Sequence, residues 1–143
     1  MEEQTPYGTF DYSEFPPLIQ VELTGIKATD ENFTAYLQEM ESIAAQSERY
    51  ISILDMTKAS YLPAKYRIMQ GKYLEKNKER TAQKAIAAIF IAPSFIHRTI
   101  LKAIFMIKPY ASPVFIVASK EEARQKADEL LEEEREKELQ TVY

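Results

Sequence analysis

Three residues of this chain have the chemical types from which a nucleophilic hydrolase is built. They are Ser94, His97 three positions later, and Asp55 at the end of the apolar run Tyr50-Ile51-Ser52-Ile53-Leu54. A serine becomes nucleophilic when a histidine takes its proton and a carboxylate orients that histidine. Ser94 and His97 share a face if both lie in the first turns of one helix, and Ser60 is a second candidate hydroxyl beyond Asp55. Neither serine stands in a Gly-x-Ser-x-Gly elbow, which is what exposes such a nucleophile on a strand-to-helix turn. The expected role of Ser94 is that of a helix cap, and His97 is expected to be partly exposed beside Arg98. The chain is therefore read as non-enzymatic.

Other chemistries are narrowed by composition. His97 is the only histidine and cysteine is absent, which excludes multi-histidine and thiolate metal centres, disulfides and thiol nucleophiles. Glu132-Glu133-Glu134 resembles a ligand set only on paper, because consecutive helical residues point in different directions and such a run reads as a solvated face. Gly8, Gly25 and Gly71 are too dispersed for a phosphate-cradling loop. No cofactor is expected. Asp55 has two readings, a site carboxylate at a strand's carboxyl end or a cap that accepts backbone N–H bonds from the following turn. With Ser60 it marks a candidate regulatory loop, in which Ser60 is otherwise an N-cap or loop hydroxyl.

The segment from Phe95 to Ile107 carries more apolar residues than a single packing stripe needs. Phe95, Ile96, Thr99, Ile100, Ala103, Ile104 and Ile107 already supply a stripe at helical spacing, leaving Leu101, Phe105 and Met106 outside it beside Arg98 and Lys102. Apolar residues with a basic rim mark a partner, lipid or ligand surface, unless neighbouring elements cover a wide helix. The candidate surface is thus Phe95, Arg98, Leu101, Lys102, Phe105 and Met106. Its expected occupant is a protein partner or a second copy of the chain. The alternative is an apolar small molecule or lipid held against the basic helix at 63–80, with Lys65, Arg98 or Lys102 meeting an acidic head group.

Charge is divided along the chain. Residues 1–60 carry net −8, residues 61–110 net +8 and residues 111–143 net −4, for a total of −4. Tyr61, Tyr66 and Tyr73 among lysines invite a nucleic-acid reading, but Tyr66 and Tyr73 fit a core stripe, and Glu75 and Glu79 interrupt any phosphate-binding track. Nucleic acid is not an expected partner. The first residues lack the basic and apolar regions of a signal peptide, and no apolar run approaches the ~20 residues of a membrane span, so a cytoplasmic protein is expected.

The elements that position these residues follow from periodicity. With 143 residues, 45% hydrophobic and 28% charged, the chain fits one domain spanning 1–143. Residues 18–26 alternate as a half-buried strand, and residues 7–12, across Pro16-Pro17, suit an antiparallel edge strand within an N-terminal extension of about 14 residues. Thr29 caps a helix through Ala44, Tyr50–Leu54 is a buried strand, and an amphipathic basic helix runs from Pro63 to about Arg80. The uncharged run Ala85–Ala92 predicts a central strand, a helix follows from Ser94 to Ile107 with Pro109 ending it, and Pro113–Ala118 predicts a fourth buried strand. Ser119 and Glu122 form a capping box opening a last helix whose charged tail, 132–143, is expected to fray. Strands alternating with helices imply an α/β fold: a four- to five-stranded, mostly parallel sheet with about four helices. Chemistry in such sheets concentrates where strands end and helices begin, here at 55–63, 92–95 and 118–121.

This order of elements over about residues 15–131, the Asp-ended strand Ile51-Ser52-Ile53-Leu54-Asp55, and the final string Pro113-Val114-Phe115-Ile116-Val117-Ala118-Ser119-Lys120-Glu121-Glu122-Ala123 resemble the STAS-like group. That group includes bacterial anti-sigma-factor antagonists and the SpoIIAA-like domains found alone in many bacteria. The resemblance implies a regulatory or binding module, switched in some members by phosphorylation of a serine at the start of the helix after the Asp-ended strand. At that place this chain has Pro63 and Ala64, so no evident phosphoacceptor serine is present, and Ser60 stands in only if the loop is shorter.

Overall fold

Parallel strands can follow one another across a sheet only if each connection climbs over the same face, and this chain does so three times. The computed structural model describes residues 5–46, 48–107 and 110–142. Among them are β1 (Gly8–Asp11), β2 (Leu18–Leu23), α1 (Asp30–Ala44), β3 (Tyr50–Asp55), α2 (Ala64–Lys76), α3 (Lys78–Lys84), β4 (Ala85–Ile91), α4 (Phe95–Ile107), β5 (Val114–Val117) and α5 (Lys120–Val142). The described strands form one mixed sheet in the order β1-β2-β3-β4-β5, with β1 antiparallel to β2 and the other neighbours parallel. The antiparallel edge strand and the parallel remainder match the α/β expectation.

Side chains alternate across the strands and sort the helices to two faces. Ile19, Val21, Leu23, Ala88 and Phe90 meet Phe33, Tyr36 and Ile43 of α1, Tyr66 of α2 and Leu101 of α4. On the other face Leu18, Ile51, Ile53, Ile89 and Ile91 meet Ala123 and Ala127 of α5. The small alanines let α5 lie close against β4. Ile51 and Ile89 are fully buried, each contributing about 2 kcal/mol of transfer free energy.

Several local features explain the boundaries. Thr29 accepts the Asn32 N–H at 3.1 Å while Asn32 accepts the Thr29 N–H at 2.8 Å, a reciprocal cap that starts α1. Gly25, at φ +84°, ends β2 earlier than the alternation suggested; a Cβ there would sit 2.6 Å from the Lys58 carbonyl oxygen. The single basic helix expected from Pro63 to Arg80 is two helices. Buried Asn77 separates them, its side-chain amide donating to the Tyr73 carbonyl at 3.0 Å.

One further expectation is corrected. The Val114–Val117 strand is an edge and only half-buried, because no sixth strand covers it among the described residues. The C-terminal segment is helical through Val142, and an ion pair from Arg49 to Glu134 ties its second half to the start of β3. At 23 residues α5 is roughly 35 Å long, more than the seven-residue β4 can cover, so its acidic second half overhangs the sheet. Pro109 and Tyr143 lie outside the described residues.

Candidate functional site

The carboxyl ends of β2, β3 and β4 lie side by side, because the register pairs Glu22 with Asp55 and Asp55 with Ile91. The loops before α2 and α4 therefore leave the sheet as neighbours. Asp55 is buried, and its carboxylate serves the turn that follows it. Oδ1 accepts the Thr57 N–H at 2.9 Å and the Thr57 hydroxyl at 2.5 Å. Oδ2 lies 3.8 Å from Lys120 Nζ, which is also 4.0 Å from Glu22, and Lys58 approaches Glu22 at 3.3 Å. Two lysines thus offset two adjacent carboxylates. Of the two readings of Asp55, this geometry gives it the capping contacts directly.

Ser60 is exposed in the loop beyond that turn. It does not cap α2, whose N-cap is Pro63 with no side-chain cap bond. Asp55 bonds Thr57, so the two residues of the candidate loop share the segment without sharing a hydrogen bond.

Ser94 and His97 do meet. Ser94 Oγ lies 2.7 Å from His97 Nδ1 and accepts the His97 N–H at 3.2 Å, which caps the first turn of α4. The hydroxyl is engaged by its own helix, and the Asp55 carboxylate is engaged by Thr57 and Lys120. The nucleophile, base and acid of the hydrolase pattern are not brought into one hydrogen-bonded set. Glu132 pairs with Arg135 and Glu134 with Arg49, so the acidic run is divided among local partners.

The apolar surface of α4 differs in its residues from the sequence reading. Leu101, expected outside the packing stripe, is 3% exposed and belongs to the core. Phe105 is half-buried, its ring 5.3 Å from Phe90 and 6.2 Å from Tyr110. Phe95 and Ile96, expected inside the stripe along with exposed Thr99, are 79% and 69% exposed. The helix is rotated because its first turn begins at the sheet's carboxyl edge, where the strands end and offer nothing to pack on. The side chains of Ile100, Ala103, Ile104 and Ile107, expected in the stripe, and of Met106, expected outside it, lie outside the described residues. Arg98 and Lys102 are exposed as expected, and Arg98 Nε donates to the Ser94 carbonyl at 3.4 Å.

Two more exposed apolar residues lie on the preceding crossover, Tyr61 in the loop before α2 and Ile68 in its second turn. Ile68 was legible as the one isoleucine off the Tyr66-Met69-Tyr73 stripe. Tyr61 carried no periodic signal. Between Met56 and Leu74, and again between Ala92 and Ile107, the chain has no acidic residue. Lys65 is held by Asp30 at 2.7 Å and Lys76 by Glu41 at 3.1 Å, both across to α1, while Arg67 and Lys102 form no ion pair among the described residues.

Two open concavities flank this edge. One lies at the N-termini of α1 and α2 around Asp30, Lys65 and Tyr66; the other is a groove between β1–β2 and α5 containing Asp11, Glu22, Asp55, Lys120 and Arg124. In the first, the Lys65 and Tyr66 hydrogen bonds hold the Asp30 carboxyl below its usual range. In the second, the bidentate Arg124–Glu14 pair at 2.6 Å lowers the Glu14 carboxyl likewise. Neither concavity is lined by a residue of α4. Comparison with known proteins finds no matching family model, no matching curated protein and no matching solved structure.

Proposed function

We propose that this protein is a non-enzymatic regulatory or interaction module of the STAS-like type, acting through the carboxyl edge of its sheet. The observation that carries the reading is the exposure of Phe95 and Ile96 at the start of α4, together with that of Tyr61 and Ile68 on the crossover before it. Large apolar side chains held out on a packed scaffold lose hydration cost when a partner covers them. The polar groups of the same edge support it from the other side. Asp55, Ser94 and His97 are engaged in caps and turns that hold the loops in place. The Asp-ended strand and the sequential β–α order support the STAS-like part of the reading. With Pro63 and Ala64 at the helix start, recognition by this edge does not depend on a phosphoserine there.

Native mass spectrometry of the purified full chain tests the reading, since it registers bound molecules and oligomeric state together. A complex that is lost in the double variant Phe95→Ser/Ile96→Ser supports an interaction surface. A monomer that co-purifies with an apolar ligand, and keeps it in that variant, is the carrier and refutes the module. Leu101 and Phe105, which a carrier site was expected to use as walls, are packed into the core instead.

A further inference from the structure

We propose that the partner of this edge is the surface of an anionic bilayer, on which the protein docks peripherally through Phe95, Ile96, Tyr61 and Ile68. The inference rests on reading the carboxyl edge as an interaction surface and names what it meets. Four large apolar side chains stand 58–79% exposed on two adjacent crossovers. On the same two crossovers Arg67, Arg98 and Lys102 are exposed, and no acidic residue occurs between 56 and 74 or between 92 and 107. Apolar tips that enter the acyl boundary, ringed by cations that meet lipid phosphates, are the chemistry of interfacial attachment.

Charge separates this occupant from a second copy of the chain. An isologous dimer on the same patch would bring the cationic set Arg67, Arg98 and Lys102 of one copy near the same set of the other, whereas an anionic plane faces all of them favourably. The acidic helix α5 packs on the face of the sheet opposite α2 and α4, so the carboxylates of its second half lie off the α2–α4 side, whereas the exposed Glu121 and Glu122 of its first turn and Asp30 and Glu31 of α1 begin at the same carboxyl edge. The two segments 56–74 and 92–107 thus carry cations and exposed apolar residues without acids, in a chain whose total charge is −4.

The absence of tryptophan from the chain gives the test a clean reporter. The variant Phe95→Trp is mixed with vesicles of phosphatidylcholine alone and of phosphatidylcholine containing phosphatidylglycerol. Leu139→Trp, at an exposed position on α5, serves as the reference variant. The expected result is cosedimentation with the anionic vesicles only, with a blue-shifted indole emission from Phe95→Trp and an unchanged emission from Leu139→Trp. Arg67→Glu/Lys102→Glu should weaken that binding at least about tenfold, and added salt should weaken it further. Folding of each variant is read from its urea midpoint, and the surface positions keep it close to that of the parent. An unshifted emission from Phe95→Trp on both vesicles, or equal binding to the neutral ones, overturns the inference. So does a dimer that is lost in Phe95→Ser/Ile96→Ser, which gives the edge to a second copy and leaves the interaction module standing. The module itself falls only to the retained ligand described above.

Discussion

The rings of Phe90 and Phe105 meet edge to face with centroids 5.3 Å apart, and this contact decides which side of α4 looks at the sheet. Tyr110 closes the cluster at 6.3 Å from Phe90 and 6.2 Å from Phe105. With Phe105 held inward, buried Leu101 lies one turn before it on the same face, and Phe95 and Ile96 are carried outward.

That division predicts opposite responses on one helix. Phe105→Ala should cost about 3 kcal/mol by opening a cavity beside Phe90. Phe95→Ser should change stability by no more than about 0.5 kcal/mol, because it removes an exposed ring. Urea unfolding of the two variants reads both values. A costly Phe95→Ser alongside a silent Phe105→Ala would mean that the helix is turned the other way.

Asp55 should act through its acceptor geometry more than through its charge. Asp55→Ala leaves the Thr57 N–H and hydroxyl without their acceptor at the buried Asp55 position and is expected to cost about 1–3 kcal/mol. Asp55→Asn keeps an oxygen for the Thr57 N–H and should cost markedly less. Thermal or urea midpoints of the two variants make the comparison, and equal losses would shift the weight to the neighbouring Lys120.

Alkaline pH should unfold the protein together with its tyrosines. Burial pushes the Tyr36, Tyr73 and Tyr110 phenols above their ordinary value, with neighbouring tyrosines adding to the effect. The unfolded chain ionises near about 10, so these groups leave stability level below that pH and reduce it as pH rises beyond. Phenolate absorbance and near-ultraviolet circular dichroism, followed through the same titration, should therefore change together for this set. Full ionisation of all nine tyrosines with the tertiary signal intact would contradict the burial.

Nucleic acid should not compete for the basic segment. Lys65 and Lys76 are paired with Asp30 and Glu41, so the acidic first block offsets the basic middle block across adjacent helices. Fluorescence anisotropy with DNA and RNA at physiological salt is expected to give affinities weaker than about micromolar. Submicromolar, steeply salt-dependent binding that is lost when Lys65, Lys72 and Lys76 become glutamate would reverse this expectation.

The sequence was enough for the α/β class, the antiparallel β1, the cap at Thr29, and the Ser119 half of the expected capping box, in which Ser119 receives the Glu122 N–H while the Glu122 carboxylate takes the Ala118 N–H instead of that of Ser119. The two caps depend on neighbours along the chain, whose geometry is local. The break at Asn77 and the early end of β2 at Gly25 depend on contacts with Tyr73 and Lys58, and only the second of these is distant in sequence. The face of α4 was undecidable from its residues, since Phe95 and Ile96 fit one apolar stripe and Leu101 and Phe105 another. Which stripe was buried followed from where β4 ends and from the aromatic contact with Phe90, a relationship that periodicity within a single helix does not contain. Tyr61 and Ile68 came to the neighbouring crossover for a similar reason: parallel register places β3 and β4 side by side, so that the loops leaving Asp55 and Ile91 start from adjacent strand ends.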